Sequence, residues 1–238
     1  MKIDSLLTVK VWGDFALFTR PEFSAERVSY QVMTPSAARG VLEAIFWKPE
    51  MAWQVHEIHV LNPIRQFSIL RNEVNSHQSD RAVATWQKNG TGGYYADGDR
   101  AQRHSLCLRD VAYLIKASIK LKPHETNVVK YRDQFRRRVT KGQCHHQPYF
   151  GTREFSAFFG DPDGSEEKQR LDSFPNEEPV DLGLMLFDME ITEAIGGSMT
   201  YLSHDANGVK VIQGNAKPKF FDAQLHQGIL TVPADLYR

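Results

Sequence analysis

From Val111 to Leu121 the sequence alternates strictly, with Val111, Tyr113, Ile115, Ala117, Ile119 and Leu121 on one side and Leu114, Lys116, Ser118 and Lys120 on the other. Only an extended backbone sends every second side chain to the same face, so this segment predicts a half-buried strand and commits the fold to a sheet. Leu6 to Trp12 has the same period, setting Leu7, Val9 and Val11 against Thr8, Lys10 and Trp12. His56 to Leu61 and Phe67 to Leu70 read as one strand broken at Asn62-Pro63, because proline cannot donate to a strand ladder. The aromatic-rich stretch from Tyr149 to Phe159 is expected to add another strand.

Two segments switch to helical spacing. Thr34 can cap a helix with Pro35 at its first position, Ala38, Val41, Leu42 and Ile45 form its apolar stripe, and Pro49 stops it. In the second, Val128, Tyr131, Phe135 and Val139 share one side, Lys130, Gln134, Arg137 and Lys141 line the other, and Gly142 ends it. The resulting order, strand, helix, strand, strand, helix, strand, predicts an α+β protein whose residues 1–160 form a ferredoxin-like βαββαβ domain. Asn89 to Asp99, NGTGGYYADGD, is rich in turn formers and is expected as the mobile tip of a long hairpin within it. Residues 161–181 read as an acidic linker. Short strand candidates at Leu182–Ile191, Met199–Ser203, Val209–Gln213 and Ile229–Val232 predict a small antiparallel β domain over 182–238.

The chain has 238 residues, 41% of them apolar, enough for a substantial core. Its 29 basic and 29 acidic residues cancel. Affinity for a polyanion must therefore come from uneven distribution. The distribution is uneven: Asp161 to Glu190 holds ten acids against Lys168 and Arg170 alone. Two cysteines, Cys107 and Cys144, are too few for a disulfide framework and point to a reducing compartment. Lys2, Asp4 and Lys10 interrupt any signal-peptide core, and no segment approaches the roughly 20 apolar residues that span a bilayer. The expectation is a cytoplasmic protein with no membrane partner.

The opposite charge bias falls on Val128 to His146, VVKYRDQFRRRVTKGQCHH, where six Lys or Arg side chains face one Asp. Three consecutive arginines spread around a helix cannot be neutralised by Asp133 alone, and guanidinium suits bidentate phosphate contacts. The stretch is either a solvated helix face or a nucleic-acid surface, and phosphate contact by itself does not distinguish RNA from duplex DNA. The candidate RNA contacts are Arg39, Arg132, Arg136, Arg137, Arg138 and Lys141. Lys130 beside Tyr131 at one end, and His145 beside His146 at the other, add groups able to move protons. No cofactor motif is present: the glycines of 89–99 lack the following Gly-Lys-Ser/Thr of a phosphate loop, and Asp161-Pro-Asp163-Gly164 lacks the later ligands of a calcium loop. No metal site is expected. RNA needs none, because its 2′-hydroxyl can attack the adjacent phosphate once a base takes the proton and a cation stabilises the developing charge.

The segment Val11 to Glu50, VWGDFALFTRPEFSAERVSYQVMTPSAARGVLEAIFWKPE, resembles the CRISPR-associated RAMP proteins of the Dvulg subtype, the pre-crRNA endoribonucleases of type I-C systems. Asn62-Pro63-Ile64, the Lys-aromatic pair at Lys130, and Phe150-Gly151-Thr152-Arg153-Glu154-Phe155 are similar to further landmarks of that family, in the same order. The resemblance implies metal-independent cleavage of CRISPR repeat RNA below its hairpin, leaving a 5′-hydroxyl and a 2′,3′-cyclic phosphate. It also implies retention on the crRNA 5′ handle beside the backbone and large subunits of the type I-C Cascade complex. The family's catalytic Tyr, Lys and His positions fall on Phe46, Lys130 and Tyr131. Phe46 has no ionisable group, so Tyr131, His145, His146 or Tyr30 is expected to substitute, or else the protein binds crRNA without cutting it.

Overall fold

A computed structural model describes residues 6–23, 25–76, 78–205 and 208–237. Lys2 and Asp4 lie outside the described residues. In chain order the elements are β1 (Leu7–Ala16), β2 (Arg27–Val28), α1 (Pro35–Ile45), β3 (Met51–Val60), β4 (Gln66–Val74), α2 (Asp80–Asn89) and β5 (Arg100–Leu121). They continue with α3 (Val128–Thr140), β6 (Phe158–Gly160), α4 (Glu166–Ser173), β7 (Val180–Glu193), β8 (Met199–Asp205), β9 (Gly208–His226) and β10 (Ile229–Thr231). This is a mixed α/β protein dominated by one large antiparallel sheet, ordered β6-β1-β5-β3-β10-β9-β7 among the described residues.

The alternating segment is the inner half of β5, a strand of 22 residues. Its Ala117, Ile115 and Tyr113 stand opposite Leu7, Val9 and Val11 of β1, while β3 pairs along its other edge from Met51↔Leu121 to Val60↔Tyr113. The interruption at Asn62-Pro63 is present: β3 ends there, and β4 resumes pairing with the outer half of β5. Asp110 takes a positive φ of 53° at the same level, and Asn62 Nδ2 donates to its carbonyl at 2.7 Å. β10 then pairs with β3 and β9, so the C-terminal strands continue the sheet.

Helices α1 and α3 cover one face. Thr34 caps α1 as the sequence predicts, its hydroxyl accepting from Ala37 N at 3.2 Å. Ala38, Val41, Leu42 and Ile45 are all buried, and Tyr131, Phe135 and Val139 of α3 join the same core. Trp53 of β3 fixes both helices: its ring meets Phe135 at 4.8 Å, and its indole N–H donates to Phe46 O at 2.9 Å. Fully burying a ring of that size stabilises by about 1.5–3 kcal/mol, which locks the C-terminal end of α1 against the middle of α3.

Three expectations change. Helix α2, capped by Ser79, lies between β4 and β5; it buries no residue, which is why no apolar stripe announced it. In the Tyr149–Phe159 stretch only Phe158 and Phe159 are in a strand, which runs on to Gly160. Before it the chain turns at Gly151, whose φ is +83° and where a Cβ would sit 1.9 Å from Leu17 O. The 161–181 stretch carries α4, whose Glu166 and Arg170 are buried. Glu166 lies 3.4 Å from Lys10 Nζ, Asp163 lies 2.8 Å from it, and Arg170 donates to Gln227 O, so this acidic segment is packed on the sheet.

Candidate functional site

The end of α1 and the start of α3 meet at Phe46 and Tyr131, whose rings lie 6.4 Å apart. Asn127 caps α3, its side chain accepting from Lys130 N at 3.3 Å. Two residues earlier, Glu125 turns its carboxylate back toward the helix. Oε1 accepts from the N–H groups of Thr126 and Asn127 at 2.9 and 3.0 Å. Oε2 accepts from Lys130 Nζ at 2.5 Å and from the Tyr131 hydroxyl at 2.9 Å. Lys130 Nζ also stands 4.7 Å from the Tyr131 ring centroid. One carboxylate therefore orients a cation and a hydroxyl side by side.

The charge states follow from these contacts. The hydrogen bond from Lys130, followed by that of Asn127 N, pulls Glu125 down to about 2, so it is ionised at neutral pH. The same ion pair holds Lys130 above its ordinary value. Burial, and then the bond to Glu125, push the Tyr131 phenol up, which makes it a proton donor and not a base at neutral pH. Half of the Lys130 side chain is exposed, against 17% for Glu125. An exposed ion pair is worth little, so a phosphate arriving from solvent can replace Glu125 as the partner of the ammonium. Glu125 escaped the sequence reading because it sits in a loop; its only signal was its place two residues before a helix cap.

Phe46 is fully buried. Arg138 stacks over it at 5.3 Å and donates to Ile45 O at 2.7 Å, which ties α3 to the end of α1. His145 and His146 are exposed, and their backbone N–H groups donate to Ala44 O at 2.8 and 3.3 Å. They lie along α1 from the Lys130 cluster, with rings 5.7 Å apart. Tyr30 is in the core, its hydroxyl accepting from Leu186 N at 3.1 Å. A further imidazole arrives from the C-terminal strands: His204 of β8 meets Trp47 at 5.4 Å, and its carbonyl accepts from Lys122.

The cations divide into held and open groups. Arg39 belongs to the first. It donates to both oxygens of Asp188 at 2.8 and 2.9 Å and to Glu43 at 2.8 Å. Burial opposes its charge, but the two carboxylates outweigh burial and raise the guanidinium above its ordinary value. Arg132 lies 3.7 Å from Asp133. Arg136, Arg137 and Lys141 are exposed and form no ion pair among the described residues. Among those residues no group of three or more His, Cys, Asp or Glu side chains is placed to hold a metal, and no helix is long and apolar enough to cross a membrane.

A family model described as CRISPR-associated protein (Cas_Cas5) matches residues 6–233. The chain belongs to the Cas5d family. It is 46% identical over 233 residues to the CRISPR pre-crRNA endoribonuclease Cas5d of Thermus thermophilus, covering 98% of this chain and 93% of that one. Against the CRISPR pre-crRNA endoribonuclease Cas5d of Mannheimia succiniciproducens it is 38% identical, with 95% and 94% covered. In solved structures the fold is shared with a CRISPR-associated protein at a TM-score of 0.60, 23% identity and 96% and 92% coverage. A functionally uncharacterized protein from Streptococcus mutans gives a TM-score of 0.61 at 20% identity, covering 97% and 93%. The Cas5d match thus spans both the sheet and the Glu125–Lys130–Tyr131 cluster.

Proposed function

We propose that this protein is a metal-independent endoribonuclease that matures CRISPR repeat transcripts. The observation that carries the reading is Lys130: an exposed ammonium, oriented by Glu125, beside a protonated phenol. Relatives named pre-crRNA endoribonucleases over more than nine-tenths of their length support the substrate. In this reading the 2′-hydroxyl loses its proton to solvent or a nearby base and its oxygen attacks the adjacent phosphorus. The bond from phosphorus to O5′ breaks, and O5′ takes a proton, leaving a 2′,3′-cyclic phosphate and a 5′-hydroxyl. Lys130 neutralises the charge that builds on the phosphorane oxygens, and Tyr131 is the proton donor within reach. Arg136, Arg137 and Lys141 hold the flanking backbone electrostatically.

After cleavage the protein stays on the crRNA 5′ handle as a subunit of the type I-C surveillance complex, with its backbone and large subunits, in the cytoplasm. Residues 1–160 serve as a ferredoxin-like RNA-binding unit. The strand order β6-β1-β5-β3, with α1 and α3 as the intervening helices, supports that description. Residues 182–238 act as an accessory β unit joined through the 161–181 segment.

A second reading is a crRNA-binding subunit without cleavage, able also to bind duplex DNA through the same basic surface. The burial of a non-ionisable Phe46 at the site favours it. Incubating the purified protein with its repeat RNA in excess EDTA separates the two. The endonuclease gives a single cut with a cyclic phosphate end, and none when the scissile nucleotide carries a 2′-deoxy sugar. Uncut RNA at saturating protein leaves the binding reading alone.

A further inference from the structure

Beside the middle of α1 lies a cleft of about 340 Å³, within the size range of small-ligand pockets. Its deep wall is apolar, made by Leu17 and Phe18, which are almost fully buried, together with Ala37 and Leu186. At its mouth stand His146 and Tyr149, the first exposed and the second half-buried. The same two side chains also line a second opening of about 470 Å³, with Gln147 and Arg153. Arg153 is exposed and has no ion-pair partner among the described residues. An apolar slot with two flat rings at its entrance and an uncommitted guanidinium outside is suited to a ring system attached to a phosphate.

The cleft is held open by its backbone. The mouth is fixed because Phe150 N donates to Phe155 O at 2.8 Å, Ala157 N to Pro148 O at 2.9 Å, and Leu17 N to Phe150 O at 3.0 Å. Opposite, α1 presents Gly40, an exposed glycine inside a helix, where it costs about 0.5–1 kcal/mol relative to alanine. No packing demands it: a Cβ at Gly40 would meet nothing within 4 Å. The missing side chain leaves room in the cleft. Gly40 is also close to the reaction site, since Phe46 follows six residues later, about 9 Å along the axis at 1.5 Å per residue.

We propose that this cleft receives one unpaired base of the repeat RNA, stacked against Tyr149 and His146, with its backbone phosphate on Arg153. Proteins that read single-stranded RNA take splayed bases onto aromatic side chains in this way. The nucleotide concerned lies next to the scissile phosphate or one position removed from it. The hydroxyl of Thr19, which also lines the cleft, is available to the base edge, whereas Ser36 Oγ already meets Thr34 Oγ1 at 3.0 Å. The inference rests on the reading of the protein as a repeat-RNA endonuclease and adds to it a site of sequence choice.

The experiment is an abasic scan of the repeat RNA, one position at a time across the cleavage site, measuring both binding and cleavage with the full-length protein and with Gly40→Phe. The native protein is expected to lose about 10-fold in affinity at one abasic position. Gly40→Phe should lose a similar amount on intact RNA and nothing further at that position. Tyr149→Leu, which leaves α1 untouched, should show the same lost sensitivity, and thermal melting checks that both variants are folded. Cleavage of intact RNA with every abasic position tolerated alike would overturn the cleft while leaving the endonuclease standing. An abasic-sensitive position without any cleavage would keep the cleft and remove the endonuclease.

Discussion

The C-terminal end and the middle of helix α1 do opposite things with similar materials. At the C-terminal end every group has a partner: Phe46 lies against Tyr131 and Arg138, the Phe46 carbonyl takes the Trp53 indole, and Glu125 binds both Lys130 and Tyr131. Beside the middle of the helix Gly40, Tyr149 and His146 border space. The difference separates a place built to hold charge in a fixed geometry from a place kept vacant. Crowding supplies orientation and, in the proposed reading, vacancy supplies selection.

Substitutions at the crowded end should separate packing from chemistry. Phe46→Ala is expected to lose about 3–5 kcal/mol of stability in denaturant unfolding, because it empties a fully covered site between two helices. Phe46→Leu should recover most of that loss and still cut repeat RNA, which would show that the position packs. A stable Phe46→Leu protein without cleavage would mean that the ring takes part in the reaction. Lys130→Ala should lower single-turnover cleavage by about 10²–10³-fold, the scale seen when one group stabilising transition-state charge is removed. RNA affinity should stay within a few-fold, since Arg136, Arg137 and Lys141 are untouched. Equal losses in binding and cleavage would turn Lys130 into a simple backbone contact.

The smallest effect is in pH. The Tyr131 phenol is raised above its ordinary value of 10.0, so it keeps its proton throughout the neutral and mildly alkaline range. If it donates the proton to the leaving oxygen, cleavage shows no alkaline fall below that value. Tyr131→His should bring the fall down toward neutrality, where imidazole titrates. Glu125 works in the other direction. Its pKa is depressed to about 2, so what its bonds contribute to local order is complete above the ordinary carboxylate range and is lost as pH falls through that lowered value. An unchanged alkaline profile in Tyr131→His would take Tyr131 out of the proton transfer.

Much of the framework was legible where burial contrast was strong. Thr34-Pro35 and the stripe ending at Ile45 gave α1, and Val111–Leu121 gave the inner half of β5. The outer half, from Arg100 to about Leu108, was not legible, because up to His104 one face of its ribbon with β4 is exposed and the other only half-buried, and the half-buried positions of β5 there are Ala101 and Arg103, which give no apolar alternation. Helix α2 was missed for the same reason. In the site, Lys130 and Tyr131 were legible as neighbours in sequence, and the split between open and held arginines was not. The partner of Arg39 is Asp188, on β7, and no local pattern connects a helix residue with a carboxylate 149 positions later. The cleft was equally hidden, since it is assembled from loop, helix and strand residues that share no period.

Strand β5 also sets an order of events during synthesis. Among the described residues its neighbour β1 pairs only with β5 and β6, both far downstream, so Leu7, Val9 and Val11 leave the ribosome with no ladder to join. Contacts this distant in sequence close slowly. The half-made chain carries an unpaired apolar strand, a risk that cells manage with chaperones. It also lacks α3, and with it both the Tyr131 ring that meets Phe46 and the Lys130 ammonium beside that ring.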